Sequence, residues 1–173
     1  ASEATIRRDL NALARQGKLV KIHGGATTLE EVEFLAQEPD LATKQRYTRE
    51  KERIARYAAS LVREDDVVFL DTGTTALHMA EYLKDSKALF VTSSIDFAGM
   101  LSAFERNVYV LGGALKPSTV DIMGAEALDA LRHYNFTKAF LGTSGVSVSQ
   151  GFTTPDPEAA ALKFLAASRA QSV

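Results

Sequence analysis

A chain of 173 residues, 46% hydrophobic and 24% charged, has the make-up of one substantial globular domain with a small appendage. No apolar run reaches the ~18 residues that cross a bilayer, and no secretory leader pattern is read in it, so a cytoplasmic protein without a membrane partner is expected. Cysteine is absent, which excludes disulfides and thiolate metal sites, and His23, His78 and His133 lie in unrelated segments, so neither metal nor cofactor is expected. The net charge of −2 rules out a basic coat over the whole surface, but its distribution is uneven. Within residues 1–25, Arg7, Arg8, Arg15, Lys18 and Lys21 stand against Glu3 and Asp9, a net +3 that leaves −5 on the remainder. A basic head on an acidic body fits localised contact with phosphates.

The first 26 residues carry the most specific pattern. Ile6, Leu10 and Leu13 fall at i, i+4 and i+7 and predict one apolar face of a helix. Ser2 suits its N-cap, Glu3 suits the positive end of its dipole, and Gly17 suits its close. Thr5, Arg7, Arg8 and Arg15 fall off the apolar stripe, where hydroxyl and guanidinium donors can meet phosphates and base edges. Lys18–Ala26 follows as a short β-ribbon containing Lys21, His23 and the Gly24-Gly25 pair. Helix and ribbon together read as a recognition helix with its wing, and Ser2, Thr5, Arg7, Arg8, Lys21 and His23 are the candidate DNA-contacting residues.

The expected division is a partial winged helix-turn-helix over 1–28, a linker over 29–47 and a sensing domain over 48–173. The linker is acidic, with Glu30, Glu31, Glu33, Glu38 and Asp40, which favours solvation. Ile54, Tyr57, Ala58, Leu61 and Val62 then form a helical stripe. Candidate strands follow at Val67–Leu70, Ala88–Thr92, Val108–Leu111 and Lys138–Leu141. They alternate with helices at Thr74–Lys84, Ile95–Ala103, Ala125–Arg132 and Pro157–Ser168, and a further strand can begin at Gln171-Ser172-Val173. Near-continuous apolar strands separated by helices predict an α/β fold, an open, mostly parallel, doubly wound sheet.

Sheets of this kind bind ligands beyond the carboxyl ends of their strands. The expected strand ends are Asp71-Thr72-Gly73-Thr74-Thr75, Thr92-Ser93-Ser94, Gly112-Gly113 and Gly142-Thr143-Ser144-Gly145. All are small, hydroxylated or glycine-rich, as close backbone approach to an anion requires. Gly73 lacks the Cβ that would block a ligand, and Thr74 and Thr75 offer hydroxyls where the next helix presents N–H groups. Neither a Walker A loop nor the dinucleotide Gly-x-Gly-x-x-Gly spacing is present.

Thr5-Ile6-Arg7-Arg8-Asp9-Leu10, with Leu13, Gly17, Leu19 and His23-Gly24-Gly25-Ala26, resembles the DeoR/GlpR family of bacterial transcription regulators, and the resemblance runs through essentially the whole chain. It implies that the opening segment is the second half of a winged helix-turn-helix, and that the chain is a piece of a longer protein. It also implies an α/β domain resembling ribose-5-phosphate isomerase and CoA-transferase-like folds, which senses a phosphorylated sugar. On the family pattern, effector contacts fall on Asp71, Gly73, Thr74, Thr75, Thr92, Ser93, Gly112, Gly113, Gly142, Gly145, Glu158 and Lys163, with Ser93 standing where the family commonly has Asn. Gly124 and Gly151-Phe152-Thr153-Thr154 match further family positions, and an Asp/Ser/Lys segment that usually follows is missing.

These readings converge on a DNA-binding regulator, a repressor, with operator DNA and a phosphorylated sugar as partners and a homo-oligomer, dimer or tetramer, as its assembly. The alternative is a sugar-phosphate isomerase-like enzyme, which needs a carboxylate base beside the sugar carbons and a group to polarise the carbonyl. Asp71, Asp121, Asp156 and Glu158 are available acids, and Lys116 and Lys163 available cations. Residues 112–121 show no dense pair of acids, Lys163 lies loosely at i+5 from Glu158, and nothing around Glu126 suggests an activated nucleophile, so no catalytic residue is assigned.

Overall fold

The computed structural model describes residues 3–16, 18–22, 25–27 and 46–173. Ser2, Gly17, His23, Gly24 and linker residues 29–45 lie outside the described residues, as do the side chains of Glu3 and Lys21. The chain divides into two compact units, one comprising 1–39 with 144–155 and the other 40–143 with 156–173.

In the first unit, helix α1 (Glu3–Arg15) precedes an antiparallel pair, β1 (Val20–Ile22) and β2 (Gly25–Thr27), with Ile22 opposite Gly25. The amphipathic spacing and the ribbon therefore take the expected form. Leu10 is half-buried, whereas Ile6 and Leu13 remain exposed among the described residues. The same unit contains a second hairpin, β9 (Gly145–Ser147) with β10 (Gly151–Thr153), in which Phe152 pairs across from Val146.

The second unit is built on five parallel strands: β3 (Val67–Leu70), β4 (Leu89–Thr92), β5 (Val108–Val110), β8 (Phe136–Phe140) and β11 (Ala170–Ser172), in the order β11-β8-β3-β4-β5. Alternate residues of the central strands feed two cores, as the period of two demands. Val68, Leu70 and Phe90 pack on one face with Ala55 and Ala59 of α2 (Thr48–Ser60), Met79 and Ala80 of α4 (Met79–Tyr82), and Phe97 and Leu101 of α5 (Ile95–Ala103). Phe69 and Val91 pack on the other with Ala127 and Leu131 of α6 (Ala125–Leu131), Phe136, and Leu162 and Ala166 of α7 (Pro157–Ser168). The Phe69 and Phe136 rings meet at 5.4 Å between centroids, a tilted aromatic pair.

Three differences from the sequence reading have physical causes. Helix α2 meets the sheet through Ala55 and Ala59, whose small side chains permit close approach, so Ile54 and Tyr57 of the expected stripe face away from this core and are exposed. The expected helix at Thr74–Lys84 is two short turns, α3 (Thr74–Leu77) and α4, meeting at His78. Between β5 and α6 the chain forms an unexpected hairpin, β6 (Ala114–Lys116) with β7 (Asp121–Met123). Gly113 enters it at φ +140°, where a Cβ would lie 2.6 Å from the Met123 carbonyl oxygen, so only glycine fits.

At the opposite end of the sheet from the candidate site, Asp66 is buried and accepts from the Arg63 N–H at 2.7 Å and from Lys138 Nζ at 2.6 Å, joining the turn before β3 to β8. Burial pushes this carboxyl up, but the hydrogen bonds from Lys138, the Arg63 backbone and Thr137 outweigh it and hold the group below the ordinary range. Its folded value therefore lies under its unfolded one, so its stabilisation is complete above pH ~4 and fades as pH falls through the folded value. Asp66→Ala strands Lys138 and frees the Arg63 N–H; a stability loss of about 2–4 kcal/mol is expected from urea unfolding at pH 7, shrinking below pH 4.

Candidate functional site

The chain proceeds from β3 outward to β4 and β5, then returns to place β8 on the other side of β3. The strand order thus reverses between β3 and β8, the position at which open α/β sheets leave a crevice beyond the strand ends. Asp71 follows β3 directly, and the Gly142 turn follows β8. The Asp71 N–H donates to the Phe140 carbonyl at 3.1 Å, and Asp71 Oδ2 accepts from the Gly142 N–H at 2.7 Å. Lys163 reaches in from α7 to form an ion pair with the same oxygen. A Cβ on Gly142 would sit 3.2 Å from the Thr72 carbonyl and 3.4 Å from Asp71 Oδ2, so its lack of a side chain lets the two strand ends close together.

Gly73, at φ +125°, is exposed, and nothing lies within 4 Å of where its Cβ would stand. Thr74 and Thr75 begin α3, a helix of only four residues with little dipole to offer. Positive charge comes instead from Lys51 of α2, whose Nζ donates to Thr74 Oγ1 at 2.8 Å. The sequence does not single out Lys51, and no local signal marks it, since it lies 23 residues from Thr74 amid other charges of an exposed helix.

At the second strand end, Thr92 spends its hydroxyl on the backbone, donating to the Leu70 carbonyl at 2.7 Å and accepting from the Ser94 N–H at 3.0 Å. Ser94 caps α5 by accepting from the Phe97 N–H at 3.3 Å. Thr92 and Ser93 are fully buried beneath this end. Gly112 and Gly113 follow β5 and open the β6–β7 hairpin; both are exposed. Gly145 lies in β9, in the other compact unit. Glu158 is exposed on the first turn of α7, whereas Lys163, five residues on, turns towards Asp71. Asp156 caps α7 through the N–H groups of Glu158 and Ala159. The Lys116 ion pair, aided by those N–H groups, holds its carboxyl below the ordinary range despite partial burial. Glu126 is exposed.

Hairpin β6–β7 brings a further acid to this end of the sheet. Asp121 is buried, faces the Thr72 and Thr119 hydroxyls, and interacts with Asp71 and Lys163. Burial pushes its carboxyl up to about 6; the two hydroxyls and Lys163 pull down, while Asp71 adds to the push. The two acids are 50 residues apart in sequence, which is why no dense acidic pair is visible in the segment from 112 to 121.

On the first unit, Arg7, Arg8, Arg15 and Lys18 are exposed and Thr5 is half-buried. Arg15 Nε turns back to the Asn11 carbonyl at 3.4 Å. Lys21 belongs to β1. No group of acids and histidines able to hold a metal ion occurs among the described residues, and none of their helices is long and apolar enough to cross a membrane.

Comparison with known proteins gives matches along both segments. Residues 46–173 match the DeoR C terminal sensor domain, and residues 1–32 match the DeoR-like helix-turn-helix domain. An uncharacterized HTH-type transcriptional regulator FruR of Bacillus subtilis (strain 168) is 43% identical over 99% of this chain and 68% of its own length. The HTH-type transcriptional regulator IolR of the same organism is 32% identical over 90% of this chain and 61% of its own. A lactose phosphotransferase system repressor of Staphylococcus epidermidis is 30% identical over 91% of this chain and 64% of its own. The chain thus spans roughly two thirds of the length of these relatives. Among solved structures, ribose 5-phosphate isomerase from Plasmodium falciparum matches 70% of this chain and 47% of its own at 16% identity, with a TM-score of 0.49.

Asp121 gives this end of the sheet a pH signature. Its folded pKa, about 6, lies above the ordinary 3.8, so the proton stabilises the fold and is lost as pH rises between those values. Each tenfold change in proton affinity is worth about 1.4 kcal/mol, so the Asp121 contribution to stability should fall by roughly 2 kcal/mol from pH 4 to pH 7. Asp121→Asn should remove that component from a pH series of urea unfolding curves; an unchanged pH profile would contradict the burial described.

Proposed function

The chain belongs to the DeoR family of helix-turn-helix transcription regulators, and on that premise we propose that it is a DNA-binding repressor whose α/β unit holds a phosphorylated sugar. The observation that carries the effector half is the constellation at the strand reversal. There, Lys51 on Thr74 stands beside the open backbone of Gly73, one turn of chain from Asp71, itself fixed by Gly142 and Lys163. A phosphoryl group needs several donors converging from a cation, a hydroxyl and exposed backbone N–H groups. Gly73, Thr74, Thr75 and Lys51 supply these, and the Asp71–Lys163 side suits the hydroxyls of a carbon chain. Thr92 and Ser93 form the buried floor, Gly113 and Gly142 the closely packed rim with Gly112 open beside it, and Glu158 an outer contact. The name of the lactose phosphotransferase system repressor supports a sugar-linked role.

On the DNA side, Thr5, Arg7 and Arg8 meet the operator from α1, Ser2 contributes at its start, and Lys21 and His23 contact the backbone or the minor groove from the wing. Operators of winged helix-turn-helix regulators are commonly two-fold, so the working form is a homo-oligomer in the cytoplasm. Effector binding changes DNA affinity only through unequal affinity for two states of the protein. Helix α2 carries Lys51 and follows the linker, which makes it the transmitting element in this reading.

One observation favours catalysis: Asp121, with its raised pKa, stands beside Asp71, an arrangement that proton transfer can use. The regulator reading expects no isomer to accumulate when the protein is incubated with aldose phosphates and followed by NMR, whereas steady turnover would establish the enzyme.

Two variants of the intact protein separate the two halves of the proposal. Arg7→Ala with Arg8→Ala should lower operator affinity at least tenfold by fluorescence anisotropy, while a sugar phosphate still raises the melting temperature. Thr74→Val should do the converse, removing a shift that corresponds to roughly 2.7 kcal/mol for a ligand at about 100 times its Kd. Operator binding indifferent to both arginines would remove α1 from recognition, and an undiminished shift in Thr74→Val would remove the Gly73 turn from the effector site.

A further inference from the structure

Asp121 is the buried acid to which the effector reading assigns no role. Strand β7 is not part of the main sheet, yet it is fastened across the end of β4. The Ile122 N–H donates to the Ser93 carbonyl at 2.8 Å, the Ile95 N–H donates to the Val120 carbonyl at 3.3 Å, and Asp121 stands bridged to Ser94. Val120, at φ 57°, holds a left-handed backbone that β-branched residues rarely adopt, so the turn delivering Asp121 to this position is itself strained. The side chain arrives 3% exposed, facing the hydroxyl of Thr72, the residue between Asp71 and Gly73.

The charges around it do not balance. Asp71 follows β3 and Lys163 extends from α7, and these two already form an ion pair with each other. Lys116, opposite Asp121 in the hairpin register, forms an ion pair with Asp156. Asp121 therefore shares the Lys163 charge with a second carboxylate, Asp71, and has no ion pair of its own among the described residues. A neutral ligand hydroxyl can donate to either carboxylate without adding charge, whereas a ligand carboxylate adds a third negative group to two that already share the Lys163 ammonium.

We propose that Asp121 selects the carbon chain of the effector, forming with Asp71 a two-carboxylate wall that accepts hydroxyls of a neutral polyol phosphate and excludes a sugar-acid phosphate. This rests on the effector site proposed above. The phosphoryl end lies towards Lys51 and Thr74, and the hydroxylated chain lies towards Asp71, Thr72 and Asp121. Inorganic phosphate, which has no carbon chain, does not sense Asp121.

The experiment titrates the intact protein with inorganic phosphate and with matched pairs, glucose 6-phosphate against 6-phosphogluconate and ribose 5-phosphate against 5-phosphoribonate. Calorimetry gives affinities and melting temperature reports folding. In the wild type, the neutral member of at least one pair should bind at least tenfold more tightly than its acid. Asp121→Asn, and Asp121→Ser as a second variant, should narrow that ratio to within threefold while inorganic phosphate binds as before. A wild type that takes the acid as tightly as the neutral sugar overturns the proposal without a variant. Folded variants that keep the full ratio overturn it too, and in both cases phosphate binding leaves the effector site standing. Absence of binding by every compound, inorganic phosphate included, overturns the site reading and this inference with it.

Discussion

The ion pair between Asp71 and Lys163 is the interaction on which the organisation of this end of the molecule depends. Asp71 is buried at the point where the strand order reverses, and a carboxylate there is tolerable only with charge and hydrogen-bond partners supplied. The Gly142 N–H and the Lys163 ammonium provide them from the end of β8 and from α7, elements that come together only when the sheet has formed. The pair therefore links β3, β8 and α7 and leaves the adjoining Gly73 backbone open. Polar anchors also join the other end of the sheet, where Asp66 and Lys138 connect the start of β3 to β8. Between the two anchors β3 is apolar throughout, while Thr137 of β8 exchanges hydrogen bonds with the Val67 backbone.

Around that anchor, several polar groups are committed to the architecture of the strand ends. Thr92 and Ser94 have their hydroxyls committed to backbone groups, and Asp156 is committed to the start of α7. Gly113 and Gly142 serve packing, since a Cβ at either would crowd a carbonyl oxygen. Lys51 with Thr74, the open backbone of Gly73, the Asp71–Lys163 pair and Asp121 are the other polar groups at this end of the sheet. Such a set matches a ligand that is itself anionic at one end and hydroxylated along the rest, the class proposed for the effector.

Much of this is legible in the chain. The strand at Val67–Leu70 and the helices at Ile95–Ala103 and Pro157–Ser168 have the bounds read from periodicity, because each couples a clear apolar pattern to a capping or turn residue. Asp156-Pro157, for example, places a cap before a proline at the first helical position. Helix α2 is harder, since its larger apolar residues are exposed and its alanines are buried, an inversion that hydrophobicity alone does not anticipate. The β6–β7 hairpin escapes a reading of the sequence because three-residue strands have no room for a periodic signal, and its turn contains Pro117, Ser118 and Thr119, which read equally well as a loop.

The sequence by itself determined the parallel α/β sheet, the short helix and ribbon of the opening segment, and the small, hydroxylated character of the strand ends. These follow from local periodicity, capping and turn chemistry, which act over a few residues. Only the tertiary structure decided which charged side chains meet. Lys51 reaches Thr74, Lys163 reaches Asp71, and Asp121 arrives beside them from a hairpin 50 residues away from Asp71. Such pairings depend on which strands lie side by side, and strand order is set by packing across the whole sheet, which no local spacing encodes.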